Sequence, residues 1–150
     1  MIVVIQRVLK ADVVSDGVQT GKIDKGLALF VGIHKDDEVR DAEILAQKIS
    51  KLRIFNDENG KMNLNVNDIE GSVIIVSNFS LCANYVHGNR PDYLDAKIPS
   101  VASILFTTFI NEMKKYVNNV QSGIFGSNMI YTITNDGPIT IVMDSNKLKK

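Results

Sequence analysis

The sequence predicts a mixed α+β domain whose helices cover one face of a β-sheet. At least six segments are short, apolar and rich in β-branched residues, and two longer segments carry apolar residues at helical spacing. No linker, repeat or low-complexity stretch divides the 150 residues, and a chain of this length can bury one hydrophobic core. We therefore expect one domain over residues 1–150.

The predicted strands are short runs of apolar residues bounded by turns. Residues 2–9 are rich in Val and Ile, and residues 12–21 form short strands around a turn at Asp16-Gly17. Residues 26–33 and 73–77 are nearly continuous apolar runs, which is typical of buried strands. A turn is expected at residues 56–60, and the other extended segments are residues 61–67, 124–125, 129–134 and 139–144.

Two helices are predicted from apolar residues spaced three and four apart. Asp36 or Asp37 caps the first helix, which runs to about Leu52. The second helix starts near Ser100, directly after Pro99. Their apolar stripes comprise Ala42, Leu45, Ala46 and Ile49 in the first helix, and Val101, Leu105, Phe109, Met113, Tyr116 and Val117 in the second.

Composition and charge argue against several classes of function. The formal net charge is zero, so a strong nonspecific attraction to nucleic acid is not expected, whereas a local basic patch stays open. Cys82 is the single cysteine, which excludes an intrachain disulfide and suits a reducing compartment. The apolar start of the chain is too short for a membrane span and lacks the pattern of a secretory leader. We expect a cytoplasmic protein with no membrane or DNA partner, whose tail from Lys147 to Lys150 is frayed.

The usual catalytic side chains are scarce. The two histidines, His34 and His87, are not spaced as metal ligands, and Cys82 has no second cysteine, so no metal or cofactor is expected. A serine triad would need Ser77 or Ser80 beside His87, and the Gly-x-Ser-x-Gly signature of a nucleophile elbow is missing. A phosphate-binding glycine loop is missing as well.

Two short polar motifs follow strand-like runs instead. The serine motif, Ser77-Asn78-Phe79-Ser80-Leu81, comes directly after an apolar run, and the Gly-Pro motif, Asn135-Asp136-Gly137-Pro138-Ile139-Thr140, separates two such runs. Glycine tolerates unusual dihedral angles, whereas proline lacks an N–H and permits a cis bond. Taken singly, the first motif fits a simple strand end and the second a tight hairpin turn. Their small side chains indicate chemistry done by main-chain groups.

Arg7 lies in the first predicted strand among apolar neighbours. Strand alternation places it on the same face as Val3 and Ile5, where a guanidinium needs hydrogen-bond partners. Either the strand ends there and Arg7 reaches water, or Arg7 donates to backbone carbonyls of a loop. The second interpretation is modestly favoured.

The chain resembles the D-aminoacyl-tRNA deacylases along nearly its whole length. The resemblance rests on Val4-Ile5-Gln6-Arg7-Val8, residues 26–33, the serine motif, Gly88-Asn89-Arg90-Pro91, Phe125-Gly126 with Met129, and the Gly-Pro motif. The order of these motifs along the chain makes a chance similarity improbable. The resemblance implies a compact three-layer β/β/α domain that forms a homodimer, with each active site at the subunit interface.

The resemblance also implies a reaction: hydrolysis of the ester that joins a D-amino acid, or glycine, to the 3′-terminal adenosine of tRNA. The family's cis Gly-Pro peptide, here Gly137-Pro138, reaches into the partner's pocket, where its carbonyls face the substrate amino group and exclude an L side chain. Arg7 holds that loop, and Met129 contacts the terminal nucleotide. The ester site is lined by Ser77, Asn78, Phe79 and Ser80. The backbone N–H of Phe79 is the candidate oxyanion donor, and the 2′-hydroxyl of the tRNA assists the water.

Two residues depart from the family pattern. Asn78 stands where the family usually has Gln, and Ser80 where it usually has Thr. Ser80 keeps the hydroxyl, whereas Asn78 is one methylene shorter, which puts a direct side-chain contact in doubt. Two alternatives stay open: a small-ester hydrolase with Ser77 or Ser80 as nucleophile, and a noncatalytic homologue that binds RNA ends.

Overall fold

The computed structural model describes residues 1–149 as an eight-stranded, two-helix domain. The strands are β1 Ile2–Ser15, β2 Val18–Ile23, β3 Gly26–Gly32, β4 Phe55–Asn56, β5 Met62–Leu64, β6 Ser72–Ser77, β7 Val120–Ser122 and β8 Met129–Asp144. The helices are α1 Val39–Ser50 and α2 Pro99–Lys114, with short 3₁₀ turns at Phe79–Cys82 and Ser145–Lys147. None of the helices in residues 1–149 is long and apolar enough to cross a membrane.

The main sheet has the strand order β2-β1-β3-β6-β7. β2 and β3 pair with different halves of the long strand β1, along the same edge, and β8 pairs with β1 along its opposite edge. The β3–β6 and β6–β7 pairs are parallel, whereas β1 is antiparallel to β2, β3 and β8. The carboxyl ends of β3, β6 and β7 therefore meet at one edge of the sheet, which is where ligands bind in parallel sheets.

Both faces of this sheet are buried, because alternate residues of each central strand point to opposite sides. On β3, Leu27 and Leu29 face a core that α1 and α2 cover, whereas Ala28 faces a second core. The second core lies under β2, which folds over the sheet so that Gly21 approaches Ile74 and Gln121. The resulting layers of strand, strand and helix confirm the predicted α+β fold.

The N-cap of α1 lies one residue after Asp37 and two after Asp36, the two predicted caps. The N-cap is Glu38, and its backbone N–H donates to the Asp41 carboxylate at 2.8 Å. Asp36 and Asp37 are therefore not the cap. Asp37 binds the α-ammonium of Met1 instead, and this pair is almost completely buried.

α2 begins at Pro99, one residue before the predicted start near Ser100, since proline suits the first position of a helix. The predicted apolar stripe is correct at Leu105, Phe109 and Met113. Val101 is 39% exposed, and Tyr116 and Val117 lie beyond the end of the helix at Lys114. The buried residues of the helix are Ala102, Leu105, Phe106, Phe109 and Met113.

The C-terminal strands differ most from the prediction. Residues 129–134 and 139–144 belong to one continuous strand, β8, so the Gly-Pro motif is not a hairpin turn. Gln6 pairs with Thr140 and Val8 with Asn135, so that four residues of β8 bulge out opposite Arg7 alone. Residues 124–125 are not a strand. The strand in this region is β7, the third of the parallel strands, and it ends at Ser122.

The tail is ordered where a frayed end is expected. Ser145–Lys147 is a 3₁₀ turn, Leu148 packs against the core, and the Lys149 ammonium lies 2.6 Å from the buried Asp41 carboxylate. The Ser145 hydroxyl donates to the same carboxylate. These contacts make residues 147–149 part of the fold, while Lys150 lies outside the described residues.

Candidate active site

A cavity of about 350 Å³ opens at the carboxyl ends of β3 and β6. Its walls are mostly apolar, with a few polar residues among them. The lining residues are Val31, Ile33, Ser77, Asn78, Phe79, Lys97, Pro99, Ala102, Phe125, Gly126, Ser127 and Met129. An apolar pocket with a few convergent polar groups is the usual form of a small-molecule site.

The first three residues of the serine motif line this cavity. β6 ends at Ser77, and the Asn78 N–H donates to the Val31 carbonyl at 2.8 Å, which fixes the start of the Phe79–Cys82 turn. No carbonyl in the described chain accepts the N–H of Phe79 or of Ser80. Phe79 lines the cavity and Ser80 lies in the adjoining turn, so two adjacent main-chain donors beside the cavity have no backbone partner in the described chain. Such donors can stabilise an oxyanion.

The side chains of the motif do not form a nucleophile–base pair. The Ser80 hydroxyl donates to the Asn78 side-chain oxygen. Within residues 1–149, no serine is hydrogen-bonded to a histidine, and no cluster of three His, Cys, Asp or Glu side chains can hold a metal. The nearby Cys82 is buried, and burial raises the pKa of its thiol to about 11, which makes the thiolate scarce at neutral pH.

Two glycines that sequence inspection missed shape the cavity wall. A Cβ on Gly32, the last residue of β3, would lie 2.8 Å from Leu81 Cβ, so the Phe79–Cys82 turn packs directly on the bare backbone. A Cβ on Gly123 would overlap the Met129 sulfur. The only sequence signal for Gly32 is its place at the end of an apolar run, and Gly123, which follows Gln121 and Ser122, lacks even that signal.

Arg7 is buried and holds the Gly-Pro motif from beneath. Its Nη1 donates to the Ile54 carbonyl at 2.9 Å, and its Nε lies 3.2 Å from the Asp136 carboxylate without hydrogen-bond alignment. Arg7 therefore does not reach water. Its carbonyl partner lies outside the Gly-Pro motif, and it contacts the motif through the Asp136 charge instead of through backbone carbonyls.

Asn135 is a second support that sequence inspection missed. Its side-chain amide donates to the Arg7 carbonyl at 2.9 Å and to the Ile139 carbonyl at 3.0 Å, which ties the two ends of the bulge together. Gly137 and Pro138 at the tip are exposed, and the peptide bond between them is cis, as the resemblance implies.

The structure thus groups the predicted residues into two places. Ser77, Asn78, Phe79 and Met129 line the cavity, and Ser80 lies in the adjoining turn. Gly137 and Pro138 on the bulge of β8 form a separate group with Arg7 of β1, and none of the three lines the cavity of the described chain.

Comparison with known proteins gives a consistent result. The sequence profile described as D-Tyr-tRNA(Tyr) deacylase matches residues 4–144. The D-aminoacyl-tRNA deacylase of Thermosipho africanus (strain TCF52B) is 46% identical over 145 residues, 97% of each chain. That of Clostridium novyi (strain NT) is 42% identical over 144 residues, 96% of this chain and 97% of its own.

Two solved structures share the fold. One, titled c-Myc DNA Unwinding Element Binding Protein, superposes with a TM-score of 0.90 at 33% identity and covers 96% of this chain and 98% of its own. The other, titled a probable eukaryotic D-amino acid tRNA deacylase, has a TM-score of 0.81 at 15% identity, covering 95% and 97%. At that identity the second structure supports the fold alone.

Proposed function

Since the chain belongs to the D-Tyr-tRNA(Tyr) deacylase family, we propose that it uses main-chain groups to hydrolyse the ester of D-aminoacyl-tRNA and of glycyl-tRNA. The chain is a hydrolase of the D-aminoacyl-tRNA deacylase type, acting on the ester between amino acid and tRNA. The products are the free amino acid and a tRNA with its 3′-terminal hydroxyl restored.

The observation that carries the proposal is the pair of free N–H groups at Phe79 and Ser80 beside an apolar cavity. When water attacks the ester carbonyl carbon, negative charge develops on the carbonyl oxygen. A preorganised N–H donor that faces this oxygen lowers the barrier, and removing one such donor typically lowers the rate by ~10²–10³-fold. The water gives its proton to the oxygen that leaves as the tRNA hydroxyl.

The tRNA supplies what the side chains lack. No serine–histidine pair exists in residues 1–149 to activate a nucleophile. The 2′-hydroxyl next to the scissile ester lies within reach of the attacking water and assists it. This arrangement leaves Ser77 and Ser80 as wall residues.

The second half of the site comes from a partner subunit. Gly137 and Pro138 are exposed at the tip of the bulge and do not line the cavity of their own chain. Arg7 and Asn135 hold the bulge firmly, as a group that serves a neighbour requires. A two-fold symmetric homodimer lets each bulge face the other chain's cavity through identical contacts.

A rigid backbone wall accounts for selectivity by chirality. D- and L-residues differ by exchange of the Cα hydrogen and the side chain, so a wall on one side excludes L side chains of every type. Overpacking against such a wall costs about 1–3 kcal/mol or more. Glycine has no side chain to exclude and is cleaved as well.

The other candidate functions have less support. The Ser80 hydroxyl is engaged by Asn78 and not by a histidine, which weighs against a serine hydrolase. We place the protein with its tRNA substrate in the cytoplasm. A noncatalytic homologue would bind tRNA ends tightly without turnover.

Deacylation of matched D-tyrosyl-, L-tyrosyl- and glycyl-tRNA tests the proposal. We expect cleavage of the D and glycyl esters and sparing of the L ester. Comparable rates on D and L esters would refute the chirality wall, and a covalent adduct with a serine-directed phosphonate would support the serine hydrolase. Sedimentation showing a fully active monomer would exclude the shared site.

Two glycine variants distinguish a role of the bulge in the reaction from the general strain of placing alanine at a positive φ. Gly137 and Gly17 both have positive φ, at 122° and 83°, so alanine strains either position. We expect Gly137→Ala to lose activity or selectivity and Gly17→Ala, on an open turn, to keep both. Equal behaviour of the two variants would remove Gly137 from the site.

A further inference from the structure

Lys97 is the one charged residue among those that line the cavity. Its ammonium donates to the Lys35 carbonyl at 2.7 Å, and no carboxylate in residues 1–149 lies within ion-pair distance of it. A lysine ammonium has three donors, so two are left without a protein partner.

The neighbouring Lys35 shows the contrast. Its ammonium lies 2.7 Å from the Asp95 carboxylate, which raises the pKa of Lys35, and the pair is exposed to solvent. Lys97 lies two residues beyond Asp95 but has no such counter-ion. Of the two cations, only Lys97 is available to an anionic ligand.

The backbone around Lys97 is fixed. Its N–H donates to the Ile33 carbonyl at 2.9 Å, the Lys35 N–H donates to the Asp95 carbonyl at 2.8 Å, and His34 forms a β-bridge with Ala96. The segment therefore continues the pairing beyond the end of β3 and fixes the Lys97 backbone, while the Lys35 carbonyl holds the ammonium itself.

We propose that Lys97 binds the phosphodiester on the 5′ side of the 3′-terminal nucleotide and thereby sets the direction of the substrate in the cavity; this inference rests on the proposed function. The aminoacyl end of the substrate carries an α-ammonium, which Lys97 repels. The nucleotide end carries a phosphate, which Lys97 attracts. The cation thus places the amino acid away from Lys97 and the terminal phosphate beside it.

The test compares two substrates and three variants. The substrates are D-tyrosyl-tRNA and the nucleoside ester 3′-O-(D-tyrosyl)adenosine, which has no phosphate. For tRNA, we expect Lys97→Gln to raise KM about 10- to 100-fold with little change in kcat, the size expected for a hydrogen bond to a charged group. The nucleoside ester should be cleaved equally by wild type and variant. Lys97→Arg should retain most of the wild-type KM.

Lys35→Gln is the matched control, because it removes a nearby cation that already has a counter-ion. Its KM and kcat should equal those of wild type for both substrates. The slope of log affinity for tRNA against log salt should fall by about 0.7–0.9 in Lys97→Gln only, the contribution of one phosphate contact. Thermal unfolding confirms that each variant is folded.

The outcomes separate this inference from the proposed function. If wild type cleaves neither ester, the proposed function fails. If wild type cleaves both but Lys97→Gln raises KM equally for both, or for neither, Lys97 does not bind the phosphate. A Lys35→Gln effect as large as that of Lys97→Gln would also overturn the assignment, because it would indicate a general loss of positive field.

Discussion

Gly32→Ala is the most direct probe of the link between sheet packing and catalysis. Gly32 ends β3, and a Cβ there would lie 2.8 Å from Leu81 Cβ and 3.4 Å from the Asn78 carbonyl oxygen. Nonbonded carbons prefer about 3.5–4.0 Å, so the Phe79–Cys82 turn must move outward by about 0.7 Å or more. The free N–H groups of Phe79 and Ser80 move with it.

Two effects of different size should result. Overpacking of this kind destabilises by about 1–3 kcal/mol, which lowers Tm by roughly 2–12 °C for a domain of this length. Misplacement of a reactive geometry by about 1 Å can lower the rate by ~10²-fold, so we expect kcat on D-tyrosyl-tRNA to fall about 10- to 100-fold. Single-turnover deacylation, measured well below Tm, isolates the second effect.

Gly71→Ala is the control for overpacking alone. A Cβ there would lie 3.0 Å from Ile69 Cδ1 and 3.1 Å from the Lys25 carbonyl, at the opposite end of β6 from the cavity. It should lose stability and keep kcat. If Gly32→Ala unfolds more easily yet turns over at the wild-type rate, the position of the Phe79–Cys82 turn does not set catalysis and the oxyanion argument fails.

Three further substitutions test separate parts of the structure. Ser80→Ala should lose little activity, whereas loss of a true nucleophile would lower kcat by ~10⁴-fold or more, a difference that single-turnover rates resolve. Arg7→Lys loses the planar fork that reaches both Ile54 and Asp136. It should reduce activity or D/L selectivity in a folded protein, and wild-type rates on D, L and glycyl esters would contradict this. Asp41→Asn removes the charge of a buried carboxylate whose partner Lys149 is 31% exposed, and should destabilise by about 1.5–3 kcal/mol at pH 7 in denaturant titrations.

The pH dependence of Asp41→Asn gives an independent check. Burial acts to raise the pKa of the Asp41 carboxyl, but the hydrogen bonds from Lys149, Ser145 and the Glu38 N–H together outweigh burial and hold this pKa below its ordinary value. A group with a depressed folded pKa stabilises the fold above its unfolded pKa and loses that contribution as pH falls. The difference in the free energy of unfolding between wild type and variant should therefore become smaller below about pH 4. A difference that stays constant with pH would assign the loss to packing.

Local pattern was sufficient for most of the architecture. The continuous apolar runs that became β3 and β6 are buried on both faces, and apolar spacing located both helices. The predicted turn at Asp16-Gly17 lies between β1 and β2, because both residues adopt the positive φ that such turns need. In each case the decisive interactions lie within a few residues along the chain.

Long-range contacts decided the rest. Asn-Asp-Gly-Pro has the composition of a hairpin turn, but β1 pairs with both flanking segments and draws them into one strand, β8. Arg7 has its carbonyl partner at Ile54, 47 residues away, which no local pattern indicates. The same holds for Gly32, whose close neighbour Leu81 belongs to another strand end, and for Lys97, whose free charge is visible only once the cavity is formed.

The bulge of β8 also constrains how this protein can change in length. Before the bulge, β8 packs Tyr131 into one core, and after it Ile141 packs into the core on the opposite face. Inserting or deleting one residue in between has two possible results. Either the residues at the tip absorb the change, so that Gly137-Pro138 is displaced, or the part of β8 on one side of the bulge shifts its pairing with β1 by one residue. Such a shift turns every side chain in that part of the strand to the wrong face of the sheet. A substitution at the tip changes only local contacts, whereas a change in its length displaces either the tip or all of β8 on one side of the bulge. We therefore expect that functional proteins with this fold vary in sequence around the bulge while keeping its residue count constant.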